Sequence, residues 1–393
     1  MGSFPRKRRT EEVCRAVSLI NYVTKIHFAD QVLEHALDGE LEDMAVLRPL
    51  VIWDGDSRRS ALRERLELAF PCRLRPQILE LPDEGVTEET SDLVASVYQQ
   101  GDRDGLIAVG GASAIHLAKA AAIRLSHPGP LQDYFDCEGG LARIRNVLPP
   151  LVVIPASAGT GAEASDTALI SVPSRGSAAL TSPYLVPRVI ICDPTLTLDQ
   201  DGRETASSGM EALAHCVETF IGSAFNPPAD ALAADGLRRI FLHLERAVAD
   251  GQDLDARRQM MAAALNGSLA QQKGLGALQA MSNGLVSAGA RLADKGALCA
   301  FLLPLALEFN APAAGTRYPS IERQLALPAR RDLVEAVTRL RERLGLPARL
   351  SALGLGEAAL AKAAVFAASD HANRTNPRKA GPEDYLAMLR AAL

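Results

Sequence analysis

"LIAVGGASAIHLAKA", Leu106 to Ala120, runs a short apolar stretch into paired glycines and then into an alanine-rich segment of helical spacing. A buried strand, a glycine turn and a helix in that order belong to a parallel sheet with helical crossovers. Neighbouring text repeats the unit. "RPLVIWD" (Arg48 to Asp54), "PPLVVIPAS" (Pro149 to Ser157) and "RVIICDP" (Arg188 to Pro194) read as further buried strands. "SRRSALRERLELAF" and "EETSDLVASVYQQ" fall between the first strands as helices. From about Arg203 the strand-like runs stop, and windows such as "RQMMAAALNGSLAQQ" and "DLVEAVTRLRERLG" carry helical periodicity. The expected fold is an α/β N-terminal dinucleotide-binding domain with a parallel sheet over residues 1–200, followed by an all-α C-terminal domain over residues 201–393.

Bulk composition agrees with a folded two-domain chain. It has 393 residues, 48% apolar and 23% charged, with 30 glycines and 23 prolines spread along it. The net charge of −5 and the lack of a basic stripe interleaved with aromatics argue against a nucleic-acid partner. Arg6 to Arg9 read as a solvated tail. No uninterrupted apolar run of membrane-spanning length stands out, and the N-terminus lacks an apolar signal region, so no membrane partner and a cytoplasmic location are expected. The six cysteines are scattered without C-x-x-C pairing, which speaks against a zinc ribbon or a disulfide framework.

The first glycine turn, Gly110-Gly111 with Ser113 just inside the helix, offers backbone N–H groups and the positive end of a helix to an anion; the same turn also serves packing alone. A second glycine-rich turn, "IPASAGTGAEAS" (Ile154 to Ser165), adds Ser157, Thr160 and Gly161. Two such turns at the carboxyl ends of parallel strands suit a nucleotide crevice. Asp54 closes a third strand, where its carboxylate is either an acceptor for a ribose 2′-hydroxyl, favouring NAD(H) over NADP(H), or a turn residue before Gly55. In "SSGMEALAHCVETFIG" (Ser207 to Gly222) Glu211, His215 and Glu218 stand at i, i+4 and i+7, on one helix face. A carboxylate and an imidazole so spaced share a metal ion, pass a proton, or form a satisfied helix face.

"GGASAIHLAK", "IPASAGTGAEAS", "SPYLVPRVIICDPTLT", "TASSGMEALAHCVE" and "TNPRKAGPEDYLAML" resemble, in order and spacing, the iron-containing (group III) alcohol dehydrogenase family, which shares a fold with glycerol dehydrogenase and dehydroquinate synthase. The match runs from about Ile26 to the C-terminus. The resemblance implies a nicotinamide cofactor and a divalent metal in the cleft between the two domains. It implies that Gly110, Gly111 and Ser113 meet the pyrophosphate, that Ser157, Thr160 and Gly161 line the same site, and that Glu211 and His215 fill the first two metal-ligand positions.

The second half of the implied metal site is missing. The family carries a pattern like H-x-M-A-H and, about ten residues on, P-H-G before an apolar run ending in L-L-P. Here "QAMSN" (Gln279 to Asn283) and "DKG" (Asp294 to Gly296) stand in those places. Gln279 and Lys295 thus replace two ligands, and Asn283 replaces a histidine kept near the substrate. Beyond His215 only His243 and His371 remain, both remote in sequence from this stretch. The glycine motif has drifted too, with Ala112 for a third glycine and His116 for an aspartate.

A glutamine is a weak ligand and a lysine ammonium repels a dication, so no tightly bound metal is expected. Lys295 is expected to pair with Glu211. Either the pair fills a vacated hole, or Lys295 and His215 serve as electrophile and proton donor while the nicotinamide carries hydride. The leading reading is a metal-independent NAD(P)-dependent oxidoreductase of a small aldehyde, ketone or alcohol. Its alternatives are a biosynthetic enzyme on this scaffold that recycles its cofactor, and a non-catalytic binding protein. A homodimer with a small-molecule substrate is the expected assembly.

Overall fold

The computed structural model describes residues 24–54, 60–172, 176–290, 294–327, 332–347, 349–350 and 355–393. Arg6 to Arg9 and Cys14 lie outside the described residues.

The strands are β1 Lys25–Phe28, β2 Pro49–Trp53, β3 Gln77–Glu80, β4 Gly105–Gly110, β5 Leu151–Pro155, β6 Thr167–Val172, β7 Gly176–Thr181 and β8 Val189–Cys192. Six of them form a fully parallel sheet in the order β1-β8-β5-β4-β2-β3, while β6 and β7 make a separate antiparallel pair. The four central strands are those the apolar runs predict, and each is buried along its whole length. Alternate residues feed opposite faces. Val51, Trp53, Ile107, Val109, Val152 and Ile154 pack on one side, and Leu50, Ile52, Leu106, Ala108, Leu151 and Val153 on the other. At roughly 1.5–3 kcal/mol for each large side chain withdrawn from water, this double-sided burial specifies the sheet.

The helices α1 Leu33–Asp43 and α2 Ser60–Leu68 cover the first face, and α3 Glu88–Gln100 and α4 Ala112–Ser126 the second. After β8 the chain is helical: α5 Gly202–Ile221, α6 Pro227–Ala249, α7 Leu254–Ala270, α8 Ala277–Ser287, α9 Lys295–Ala314, α10 Arg317–Gln324, α11 Leu333–Arg343, α12 Glu357–Ser369 and α13 Pro382–Ala391. Helix α5 starts at a capping box, where Asp201 accepts from the Glu204 N–H and Glu204 reaches back to the Asp201 N–H. It is buried almost throughout, and α6, α7 and α9 pack around it.

One sequence expectation is corrected here. Helix α9 is 20 residues long and apolar enough, by length and composition, to cross a membrane. Most of it is instead enclosed in the helical core, which is what an all-round apolar helix of a large domain does.

Chain order places the opening of the sheet. From β2 the crossover runs outward to β3, whereas from β4 it runs the other way to β5. The switch point lies between the carboxyl ends of β2 and β4, where open α/β sheets bind ligands. Asp54 ends β2 and Gly110-Gly111 end β4.

Candidate active site

The first glycine turn is shaped by contact with Asp54. Gly110 has φ +126°, and a β-carbon there would sit 2.5 Å from the Asp54 carbonyl oxygen. Only glycine fits that position without displacement. Gly111 caps α4 with no side-chain cap, so the amides of the first turn stay available to an anion. One amide is already taken: the Gly111 N–H donates to Asp54 Oδ2 at 3.2 Å. Asp54 is therefore beside the implied phosphate turn. Replacing it with asparagine should narrow the preference for NADH over NADPH by about tenfold or more, because a 2′-phosphate then meets no negative charge. Parallel calorimetric titrations with the two nucleotides would measure it.

The second glycine turn is tied down from below. Lys119, fully buried on α4, donates to the carbonyls of Ala162 at 2.7 Å and Ser165 at 2.5 Å, and burial pushes its amine down to about 7. Thr160 Oγ1 donates to Glu163 Oε2 at 3.2 Å, so its hydroxyl proton turns into its own loop. Burial raises the Glu163 carboxyl to about 7. Ser157 Oγ is buried without a hydrogen-bond partner among the described residues, a donor left for a bound group. Gly161 has φ +65°, and a β-carbon on it would come 2.8 Å from His215 Nδ1. The second glycine turn thus rests directly on the imidazole.

Across the cleft, α9 begins at Lys295 because Asp294 caps it, accepting from the Gly296 N–H at 3.0 Å and the Ala297 N–H at 3.2 Å. Asp294 also accepts from the Ser207 hydroxyl, which pins the start of α9 to α5. Lys295 Nζ then lies 3.5 Å from Glu211 Oε1, with Glu211 almost fully buried. Burial raises the Glu211 carboxyl, opposed by Lys295. Burial, helped by the Lys295 charge, lowers His215 to about 3. His116 is pushed well below its ordinary value by burial, then by Lys295 and Lys119. Both imidazoles are therefore neutral near pH 7.

A cavity of about 280 Å³ gathers His116, Thr160, Gly161, His215, Gln279 and Lys295. Asp54, Gly110, Gly111, Ser113 and Ser157 are not part of its lining. Glu218, expected on the same face as Glu211 and His215, points elsewhere. It accepts from the Leu278 N–H at 2.7 Å and the Gln279 N–H at 3.1 Å, capping α8. A larger cavity of about 820 Å³ opens at the amino ends of the strands, beside Lys25, Glu40 and Arg188, and holds none of the sequence-predicted site residues.

Two cavity residues escape sequence reading: His371 and Arg374, both on the short helical turn His371–Thr375. Arg374 pairs with Asp136 at 3.0 Å, linking the helical half to the loop before β5. Their sequence distance from Gln279 and Lys295 hid them, and no local motif marks them.

Two family models match in register with these halves. Residues 24–194 match iron-containing alcohol dehydrogenase, and residues 205–393 match the C-terminal part of the Fe-containing alcohol dehydrogenase family. The chain belongs to the iron-containing alcohol dehydrogenase family. It is 38% identical over 384 residues to 4-hydroxybutyrate dehydrogenase of Cupriavidus necator, covering 96% of this chain and 100% of that one. It is 26% identical to the NAD-dependent methanol dehydrogenase of Bacillus methanolicus, over 90% of this chain and 94% of the relative. The crystal structure of a 1,3-propanediol oxidoreductase superposes with a TM-score of 0.86 at 26% identity, over 95% of this chain and 100% of the other.

Proposed function

We propose that this chain is an NAD-dependent oxidoreductase that interconverts a small primary alcohol and its aldehyde without a bound metal, with 4-hydroxybutyrate as the alcohol to test first. The observation that carries this reading is the Lys295–Glu211 pair, 3.5 Å apart in the cleft where the family resemblance implies the metal.

The donor set supports metal independence. Among the described residues no group of three or more His, Cys, Asp or Glu side chains is arranged to hold an ion. Gln279, whose Nε2 donates to Asn283 Oδ1 at 2.9 Å, offers only a weak neutral amide oxygen, and the Lys295 ammonium repels a dication. The available residues do not fit a divalent metal. They do fit a dinucleotide, given the switch-point crevice, the uncapped α4 and the unpartnered Ser157 hydroxyl. Asp54 and the name of the methanol-oxidising relative favour NAD over NADP. The choice of 4-hydroxybutyrate rests on the full-length match to the dehydrogenase of that name, and the small cavity suits so short a molecule.

In this reading Gly110, Gly111 and Ser113 hold the pyrophosphate, and Thr160 and Gly161 border the nicotinamide end. Bound NAD⁺ would supply the hydride acceptor. Lys295 faces the oxygen on which negative charge grows as the hydroxyl proton leaves, or in the reverse direction as hydride adds to the carbonyl carbon, and a preorganised cation there lowers the barrier. Glu211 orients Lys295. Neutral His215 packs under Gly161 and keeps the floor of the site from carrying a second positive charge.

The test is turnover of 4-hydroxybutyrate with NAD⁺ by protein stripped of metal, with and without a strong chelator. The expected result is an unchanged rate. Loss of activity on stripping, with recovery on adding Fe²⁺ or Zn²⁺, would overturn the metal-free assignment.

A further inference from the structure

Gln279 and Asn283 on α8 build the support for a histidine from elsewhere in the chain. Gln279 donates to Asn283 Oδ1 at 2.9 Å, and Asn283 Nδ2 donates to Asp370 Oδ2 at 3.0 Å. Asp370 Oδ1 accepts from the Ala372 N–H at 2.8 Å and lies 3.3 Å from His371 Nδ1. The carboxylate is thus held by two N–H donors, with one oxygen 3.3 Å from one nitrogen of the imidazole. Such a carboxylate keeps the proton on Nδ1 and leaves Nε2 as the basic atom. Among the described residues Nε2 meets no hydrogen-bond partner, and His371 lines the same cavity as Lys295 and His215.

The other candidate bases are poorly suited. His215 is buried and His116 half-buried, both are held down by desolvation and by Lys295, and His215 already packs on Gly161. His371 keeps 30% of its side chain exposed, so a proton it takes can pass to solvent. The charged groups around it are Asp370 on its own turn, Arg374 and Asp136 at the mouth, and Lys273, Asp166 and Lys295 across the cavity.

We propose that His371, oriented by Asp370, is the general base that takes the hydroxyl proton of the alcohol. The inference rests on the alcohol-oxidising reading above. As the alcohol reacts, its carbinol C–H bond breaks and the hydrogen leaves with both electrons to NAD⁺. The O–H bond breaks and its proton goes to Nε2, a C=O bond forms, and the imidazolium then releases the proton to water. In the reverse direction the same imidazolium returns the proton to the new alkoxide. Asp370 and the two amides behind it act through His371 and are positioning residues.

The experiment combines variants with a readout that needs no turnover. His371→Ala should lower kcat by about 10²-fold or more, with NADH affinity unchanged, and added imidazole should restore part of the rate. Asp370→Asn keeps an acceptor for only one of the two N–H donors and should lower kcat less than His371→Ala, with KM within a few-fold. A rate in His371→Ala within about threefold of wild type, or a large loss that imidazole does not rescue, overturns the proposal. In parallel, 2,2,2-trifluoroethanol, an alcohol that resists oxidation, is titrated into the NAD⁺ complex while the His371 ring proton is followed by NMR. A saturable shift, smaller in Asp370→Asn, is expected. If the protein oxidises no alcohol, the functional reading fails on its own; the titration still decides the His371 contact, and no shift overturns it.

Discussion

Replacing Lys295 with methionine should lower kcat for alcohol oxidation by about 10²- to 10³-fold, the loss found when one preorganised donor to a developing oxyanion is deleted, or about 3–4 kcal/mol of barrier. NADH affinity should stay within about twofold, because Lys295 belongs to the helical side of the cleft and the phosphate turn to the sheet. The variant also leaves Glu211 without the cation that opposes its desolvation, so its carboxyl should move further up. Its folded-state value lies above the unfolded one, so the carboxyl group favours folding below the unfolded value and costs stability as pH rises through the window between the two. Pairing Lys295→Met with Glu211→Gln removes that cost and isolates the kinetic effect. A pair that only fills a vacated hole gives the opposite pattern: an altered melting temperature in Lys295→Met with kcat intact. Steady-state kinetics and thermal melts of the single and double variants separate the two.

Lys295 and Glu211 were legible because the residues that replace the family's ligands sit inside the very motifs they depart from. The four central strands were legible for another reason: burial on both faces forces unbroken runs such as "LVIW" and "LVVIP". The edge strands β1 and β3 were not. Each has four residues, is covered on one flank only and mixes polar with apolar side chains, as "KIHF" and "QILE" do. The β6–β7 pair escaped because "TALISV" and "GSAALT" pack small residues whose texture is close to that of the alanine-rich helices. Helix α9 hid its length behind Pro304 and Pro312.

The active-site misses have a different cause. Glu218 obeys the helical spacing that puts it with His215, yet α8 ends its approach there and supplies two amides, so a tertiary contact outranks the helix face. His371 acquires its setting from Asn283, on a helix about 90 residues earlier in the chain. Spacing rules describe one element at a time; a carboxylate that orients an imidazole only after two helices meet leaves no periodic trace.

Gly110→Ala should weaken NADH binding by about 100-fold or more, the second large effect, and it tests the cofactor half of the site independently of the chemistry. At φ +126° an alanine is strained by about 1–3 kcal/mol, and its β-carbon would meet the Asp54 carbonyl at 2.5 Å and the Asp54 β-carbon at 2.7 Å. Relief requires the end of β2 or the start of α4 to move, and either motion misaims the amides that face the phosphates. Gly85→Ala is the matched control: φ is +72° but nothing lies within 4 Å of the added carbon, so it carries backbone strain without the clash and should bind NADH normally. Gly111→Ala, whose β-carbon would meet only Asp54 Oδ2 at 3.0 Å, should fall between them. Calorimetry of the three variants, with quenching of Trp53 as a second reading beside Asp54, gives the order. Were Gly110→Ala to bind NADH as tightly as Gly85→Ala, the turn between β4 and α4 would not be the pyrophosphate site, and the place of hydride transfer in this cleft would have to be sought elsewhere.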